Sequence, residues 1–145
     1  MDSEKVMEIL KEQLKILKKM LENSEKAYLV LRQEDTEMVA DIYASSAGLM
    51  ERFDKCGRKL AGAGGSINIM EYLRSDKGEA GEIYREIIAC LNNIKNVDEE
   101  NQRYAIKIKN TIQENIINLQ KSHKAFKNYI TQIPFTGGGF IDTKK

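Results

Sequence analysis

The sequence has one proline, no tryptophan, one histidine and two cysteines in 145 residues, and its ten glycines are clustered. So few turn-forming residues point away from a turn-rich β fold. No apolar run reaches 18 residues, so no transmembrane helix is expected. Neither sign of charge dominates: 23 Lys and Arg stand against 22 Asp and Glu, a net charge of +1. That argues against a dedicated nucleic-acid binder, which carries a basic excess on one face. The tyrosines are scattered and not interleaved with basic runs, so no stacking platform for bases is visible. Met1-Asp2-Ser3-Glu4 is acidic and has no apolar segment behind it, so no secretory signal is expected. These absences together fit a cytoplasmic protein of a single domain that neither binds nucleic acid nor inserts into a membrane.

Catalytic and metal-binding patterns are also missing. The single histidine, His123, falls on an apolar stripe between Leu119 and Phe126, and reads as a partly buried, hydrogen-bonded residue. Its neighbours one helical turn away are Leu119 and Lys127, which excludes a helical pair of metal ligands. Cys56 and Cys90 stand far apart with no histidine beside either. They read as buried free thiols in a reducing compartment. No nucleophile elbow, zinc-protease or dinucleotide motif occurs. The carboxylates lie on polar helix faces. The expectation is a non-enzymatic protein without metal or cofactor.

What is present is helical periodicity. From Glu82 to Thr131 about fifty residues run without Gly or Pro, roughly 75 Å of helix. Apolar side chains return at Ile83, Ile87, Leu91, Ile94, Ala105, Ile108, Ile112, Ile116, Leu119, Phe126 and Ile130, in steps of three and four. A helix of this length cannot cover its own stripe. The four-residue steps Ile108–Ile112–Ile116 favour a straight bundle helix over a long supercoil. Asp98 and Asn101 interrupt the stripe. The favoured reading is a continuous helix with a buried Asn fixing register; the competing one has Asp98 capping a new helix.

Two further long helices precede it. Residues 3–32 carry Val6, Leu10, Leu14, Leu17, Leu21, Ser24, Tyr28 and Leu31, a heptad seam from Leu10 onward. Residues 36–61 carry Val39, Ile42, Leu49, Phe53, Cys56 and Leu60. The apolar phase runs unbroken through 33–36, so periodicity leaves open whether the chain reverses there. Asp35, a poor helix former and good N-cap, argues for reversal. Gly62 to Ser66 ends the second helix; without a following Lys it is a connector and not a phosphate loop. Asn68 to Glu71 resembles a capping box opening a short helix with Ile69, Met70, Tyr72 and Leu73 on its apolar side. The fold expected is all-α: an elongated antiparallel bundle or coiled coil of three long helices and one short connecting helix over 1–132. A flexible Gly-rich tail follows over 133–145. Pro134 cannot continue a helix, and Phe135, Phe140 and Ile141 either contact a partner or fold back onto the bundle.

The chain as a whole resembles the FlgN-like family of cytoplasmic flagellar export chaperones. LKEQLKILKKMLENSEKAYLVLRQEDTEMVADIYASSAGLMERF is similar to the family's first arm, a Leu-rich helix, an acidic interruption and a second helix. SINIMEYL is similar to its short capped helix, and DEENQRYAIKIKNTIQENIINLQ to the polar start of its last segment. IPFTGGGFIDTKK is similar to its Gly-containing basic tail. The resemblance implies binding of unassembled hook-associated (hook–filament junction) proteins along the C-terminal helix, which prevents premature assembly and delivers them to the type III export apparatus. It further implies client contacts at Leu119, Phe126, Tyr129 and Ile130. Docking to the export gate falls to Phe135, where the family often has Tyr, so any contribution of a hydroxyl is lost. Its rivals are a chaperone for another flagellar client such as the filament cap, and a structural adaptor whose stripe is covered by its own homodimer.

Overall fold

A computed structural model describes residues 2–132, with side chains through residue 128. Four α-helices follow in order: α1 (Ser3–Arg32), α2 (Thr36–Ala63), α3 (Ile69–Ser75) and α4 (Glu79–Gln132). No strand occurs among the described residues. The tail expected at 133–145, with Phe135, lies outside the described residues, as do the side chains of Tyr129 and Ile130. Two compact units divide the chain, Met1–Tyr104 and Ala105–Lys145. The boundary falls inside α4, within the span 1–132 that the sequence reads as one bundle.

In the first unit the chain reverses after α1. Glu34 takes a left-handed conformation with φ 60°. The Asp35 amide donates to the Val30 carbonyl at 3.4 Å and the Glu34 amide to the Leu31 carbonyl at 3.0 Å. This is the Schellman pattern of a helix end, with Glu34 where glycine is usual. Asp35 then opens α2, its carboxylate accepting from the Met38 amide at 3.1 Å. The unbroken apolar phase through 33–36 is therefore overruled by capping chemistry. Asn23 meets Ser46 at 3.2 Å, and Glu12 meets Arg52 at 3.2 Å. Residues farther along α1 thus face residues earlier in α2, so the pair is antiparallel.

α1 carries most of the core. Its buried face is wider than the expected seam: Ile9, Gln13, Ile16, Met20 and Ala27 join Val6, Leu10, Leu17, Ser24 and Leu31, while Leu14, Leu21 and Tyr28 are only half-buried. A helix covered from more than one side buries an arc and not a line. One cluster joins Val6, Leu10, Ile16, Leu17 and Met20 of α1 to Leu60 of α2, Ile69 and Leu73 of α3, and Ile87, Cys90 and Ile94 of α4. A smaller cluster holds Ala27, Val30 and Ile42. Truncating a fully buried leucine such as Leu10 or Leu17 to alanine costs about 2–5 kcal/mol.

The short helix α3 is capped as expected, Asn68 accepting from the Glu71 amide at 3.3 Å. Its apolar side is narrower than the sequence suggests. Ile69 and Leu73 are buried, but Met70 and Tyr72 are exposed, because seven residues make two turns and present only one pair to the core. α4 begins three residues before Glu82. The Gly81 amide donates to the Asp76 carboxylate at 2.9 Å, and the Arg85 guanidinium donates to the Asp76 carbonyl at 2.9 Å. A Cβ at Gly81 would collide with the Asp76 backbone.

Two substitutions test these joints by thermal or urea unfolding. Glu34→Gly relieves the left-handed strain and raises stability by about 1 kcal/mol. Gly81→Ala lowers it by more than the reverse helix-propensity gain of about 1 kcal/mol, because the Asp76 backbone must move.

Candidate functional site

Between the two apolar clusters of the first unit lies a polar layer. Asn101 of α4 is buried, and its amide donates to the Ser24 carbonyl of α1 at 3.1 Å and to the Tyr43 hydroxyl of α2 at 2.8 Å. The Tyr43 hydroxyl in turn donates to the Asp98 carboxylate at 2.8 Å. Asn23 donates to Ser46 in the same layer. Both donors of the Asn101 amide are used, while its buried Oδ1 has no hydrogen-bond partner. Burial pushes the Tyr43 phenol up to about 12; Asn101 pulls it down, and the Asp98 carboxylate adds to the rise. Nearby, the Arg32 guanidinium lies 3.3 Å from the Tyr28 ring centroid and 4.5 Å from that of Tyr104. It also donates to the Tyr28 carbonyl at 2.8 Å and faces Glu100 at 3.8 Å. Stacking of this kind holds the end of α1 against α4.

The groups of this layer are the Tyr43 phenol, the Asn101 and Asn23 amides, the Ser46 hydroxyl and the Asp98 carboxylate. Cys90 is buried and Cys56 half-buried, both free thiols. Burial pushes the Cys90 thiol up, countered by Lys18 and reinforced by Glu25, which keeps it protonated near neutrality. No group of three or more His, Cys, Asp or Glu could hold a metal among the described residues. No helix among them is long and apolar enough to cross a membrane.

The second unit offers a different surface. From Lys109 to Asn128 every described side chain of α4 is exposed. Ile106, Ile112, Ile116, Ile117, Leu119 and Phe126 are large apolar residues at 48–69% exposure, Leu119 the highest. Ile108 is half-buried. The steps Ile108–Ile112–Ile116–Leu119–Phe126 keep one helix face, while Ile106 and Ile117 stand on another side. Of the expected client contacts, Leu119 and Phe126 are on this exposed face; the side chains of Tyr129 and Ile130, and Phe135 expected at the export gate, lie outside the described residues. His123 is exposed, and not partly buried as its stripe position suggests, because none of the described residues covers the stripe there.

No family model, no curated protein and no solved structure matches the chain.

Sequence reasoning located the polar layer only in part. Ser24, Asp98 and Asn101 were visible as polar intrusions on apolar stripes. Tyr43 and Arg32 were not, since a tyrosine beside a stripe or an arginine near a helix end carries no periodic signal. The exposed apolar face also begins earlier than Leu119, the first client contact that the resemblance implies, at Ile112.

The raised phenol of Tyr43 sets a pH dependence. Its folded-state value exceeds the unfolded one of 10.0, so the neutral phenol is bound more tightly than the phenolate. The resulting stability is complete below pH 10 and disappears as pH rises towards 12. Denaturant melts of wild type and Tyr43→Phe across pH 9–12 check this. Tyr43→Phe starts about 1–3 kcal/mol less stable, because Asn101 and Asp98 lose their partner, and the gap closes as pH approaches 12.

Proposed function

We propose that this chain is a non-enzymatic chaperone of the FlgN-like type, acting in the cytoplasm on unassembled hook-associated junction proteins and handing them to the flagellar type III export apparatus. In this reading α1, α2 and α4 form an elongated antiparallel bundle with α3 as its connector, and the distal part of α4 is the client surface. Leu119, Phe126, Tyr129 and Ile130 contact the client, and Phe135 docks at the export gate. The observation that carries the reading is the exposed apolar face from Ile112 to Phe126. Such a face is kept accessible at a cost in solubility, and a long helix with an open stripe is the form needed for helix-in-groove recognition. The ordered resemblance along the chain supplies the client class.

Co-purification with junction proteins tests the proposal. The wild type retains its client. A chain ending at Asn118 does not, and neither does the double variant Leu119→Asp, Phe126→Asp. Both side chains are exposed, at 69% and 48%, so the double variant keeps its unfolding midpoint within about 0.5 kcal/mol of wild type. Client retention by the shortened chain, with loss of self-association instead, would favour the homodimeric adaptor. Retention of only the filament cap would move the client class.

A further inference from the structure

The charges are unevenly distributed along the chain. Residues 1–104 carry 16 Lys and Arg against 20 Asp and Glu, whereas residues 105–128 carry five lysines and a single carboxylate, Glu114. A near-neutral total therefore hides an acidic first unit and a basic exposed stretch of α4. At 100° per residue, Ile108, Ile112, Ile116, Leu119 and Phe126 occupy an arc of about 80°. Lys109 and Lys127 border one edge of this seam, and Lys121 and Lys124 continue from it in steps of three. The other edge is neutral, with Asn115 and Ser122. Glu114 lies on the opposite side of the helix, and no lysine of the stretch has a carboxylate three or four residues away. Lys121, Lys124 and Lys127 thus repel one another with no carboxylate a helical turn away to offset it.

Three covers for the seam differ in how they meet this charge. A second copy laid seam on seam brings no carboxylate to it. Paired antiparallel, it sets lysine edge against lysine edge; paired parallel, it sets lysines against neutral amides. An anionic bilayer suits a broad apolar face with cations along both borders, whereas this seam is one helix wide and basic on one border only. An acidic helix satisfies both features at once.

We infer that the occupant of this face is an acidic amphipathic helix of another protein, its apolar side on the Ile108–Phe126 seam and its carboxylates along the Lys109, Lys124 and Lys127 edge. The inference rests on the reading of distal α4 as a partner-binding surface, and narrows the partner to a class. Carboxylates spaced by helical turns relieve the lysine repulsion and fix the direction in which the partner lies, since only one border is charged.

The test uses the full chain and two labelled synthetic helical peptides with the same Leu and Ile seam, one with Glu and the other with Lys at its flanking positions. Fluorescence anisotropy is read at 50 and 300 mM NaCl. The Glu peptide binds roughly ten-fold tighter than the Lys peptide at low salt, and high salt shrinks the ratio. In Lys109→Glu, Lys124→Glu, Lys127→Glu the preference inverts, with helix content by circular dichroism unchanged. Equal binding of the two peptides overturns the acidic partner while leaving distal α4 a partner surface. If neither peptide binds and the chain self-associates until Leu119→Asp abolishes it, the second copy is the occupant, and this inference and the chaperone reading fall together. Binding to vesicles of 30% phosphatidylglycerol, with neither peptide bound, overturns it in favour of a lipid surface.

Discussion

The buried amide of Asn101 is the constraint on which the first unit depends. Heptad-like stripes of Leu, Ile and Val slide past one another with little penalty, since one aliphatic layer packs much like the next. A buried amide removes that freedom, because its donors must meet acceptors at fixed heights on the neighbouring helices. Here those acceptors are the Ser24 carbonyl and the Tyr43 hydroxyl. One residue thereby fixes the heights of α1 and α2 against α4. The Oδ1 of the same side chain has no hydrogen-bond partner among the described residues. With two free thiols and no disulfide, the chain has no covalent means of doing the same.

Among the described residues, Asn101 is also the last buried side chain along α4. Apolar residues continue beyond it at the same spacing, yet their burial stops. Ile112, Ile116, Leu119 and Phe126 have the composition of core residues and the exposure of surface ones. The stripe has one period throughout and two fates. Its first part is covered by helices of the same chain. Its second part is a sizeable apolar face beside a row of lysines, the surface on which the proposed acidic partner would lie.

Much of the fold was legible in individual residues. Asp35 and Asn68 were readable as caps because a short polar side chain before an apolar run has few other uses, and both accept the expected amide hydrogen bonds. The continuity of α4 through Asp98 was readable because the three-and-four spacing survives on both sides. The reversal between α1 and α2 was not, since the left-handed residue there is Glu34, without the glycine that usually marks such a turn. At Gly81 the difficulty was the reverse: a glycine just before the Gly-free run that starts at Glu82 lies inside the helix, where the Asp76 backbone leaves no room for a side chain. Within the candidate site, Leu119 and Phe126 were legible as apolar repeats, whereas the exposure of His123 beside them was not.

By itself the sequence determined the helical class, the caps at Asp35 and Asn68 that open α2 and α3, and the positions where polar residues enter apolar stripes. These follow from local rules: side-chain capping, backbone strain and a 3.6-residue period act within a few residues of chain. Only the tertiary structure decided which parts of each stripe are covered, that α1 buries an arc where a seam was expected, and that Tyr43 joins Asp98 to Asn101 across 55 and 58 residues of sequence. Burial is a property of neighbours brought together from distant chain positions. An isoleucine in the core at Ile94 and one in the open at Ile112 are therefore written identically in the sequence.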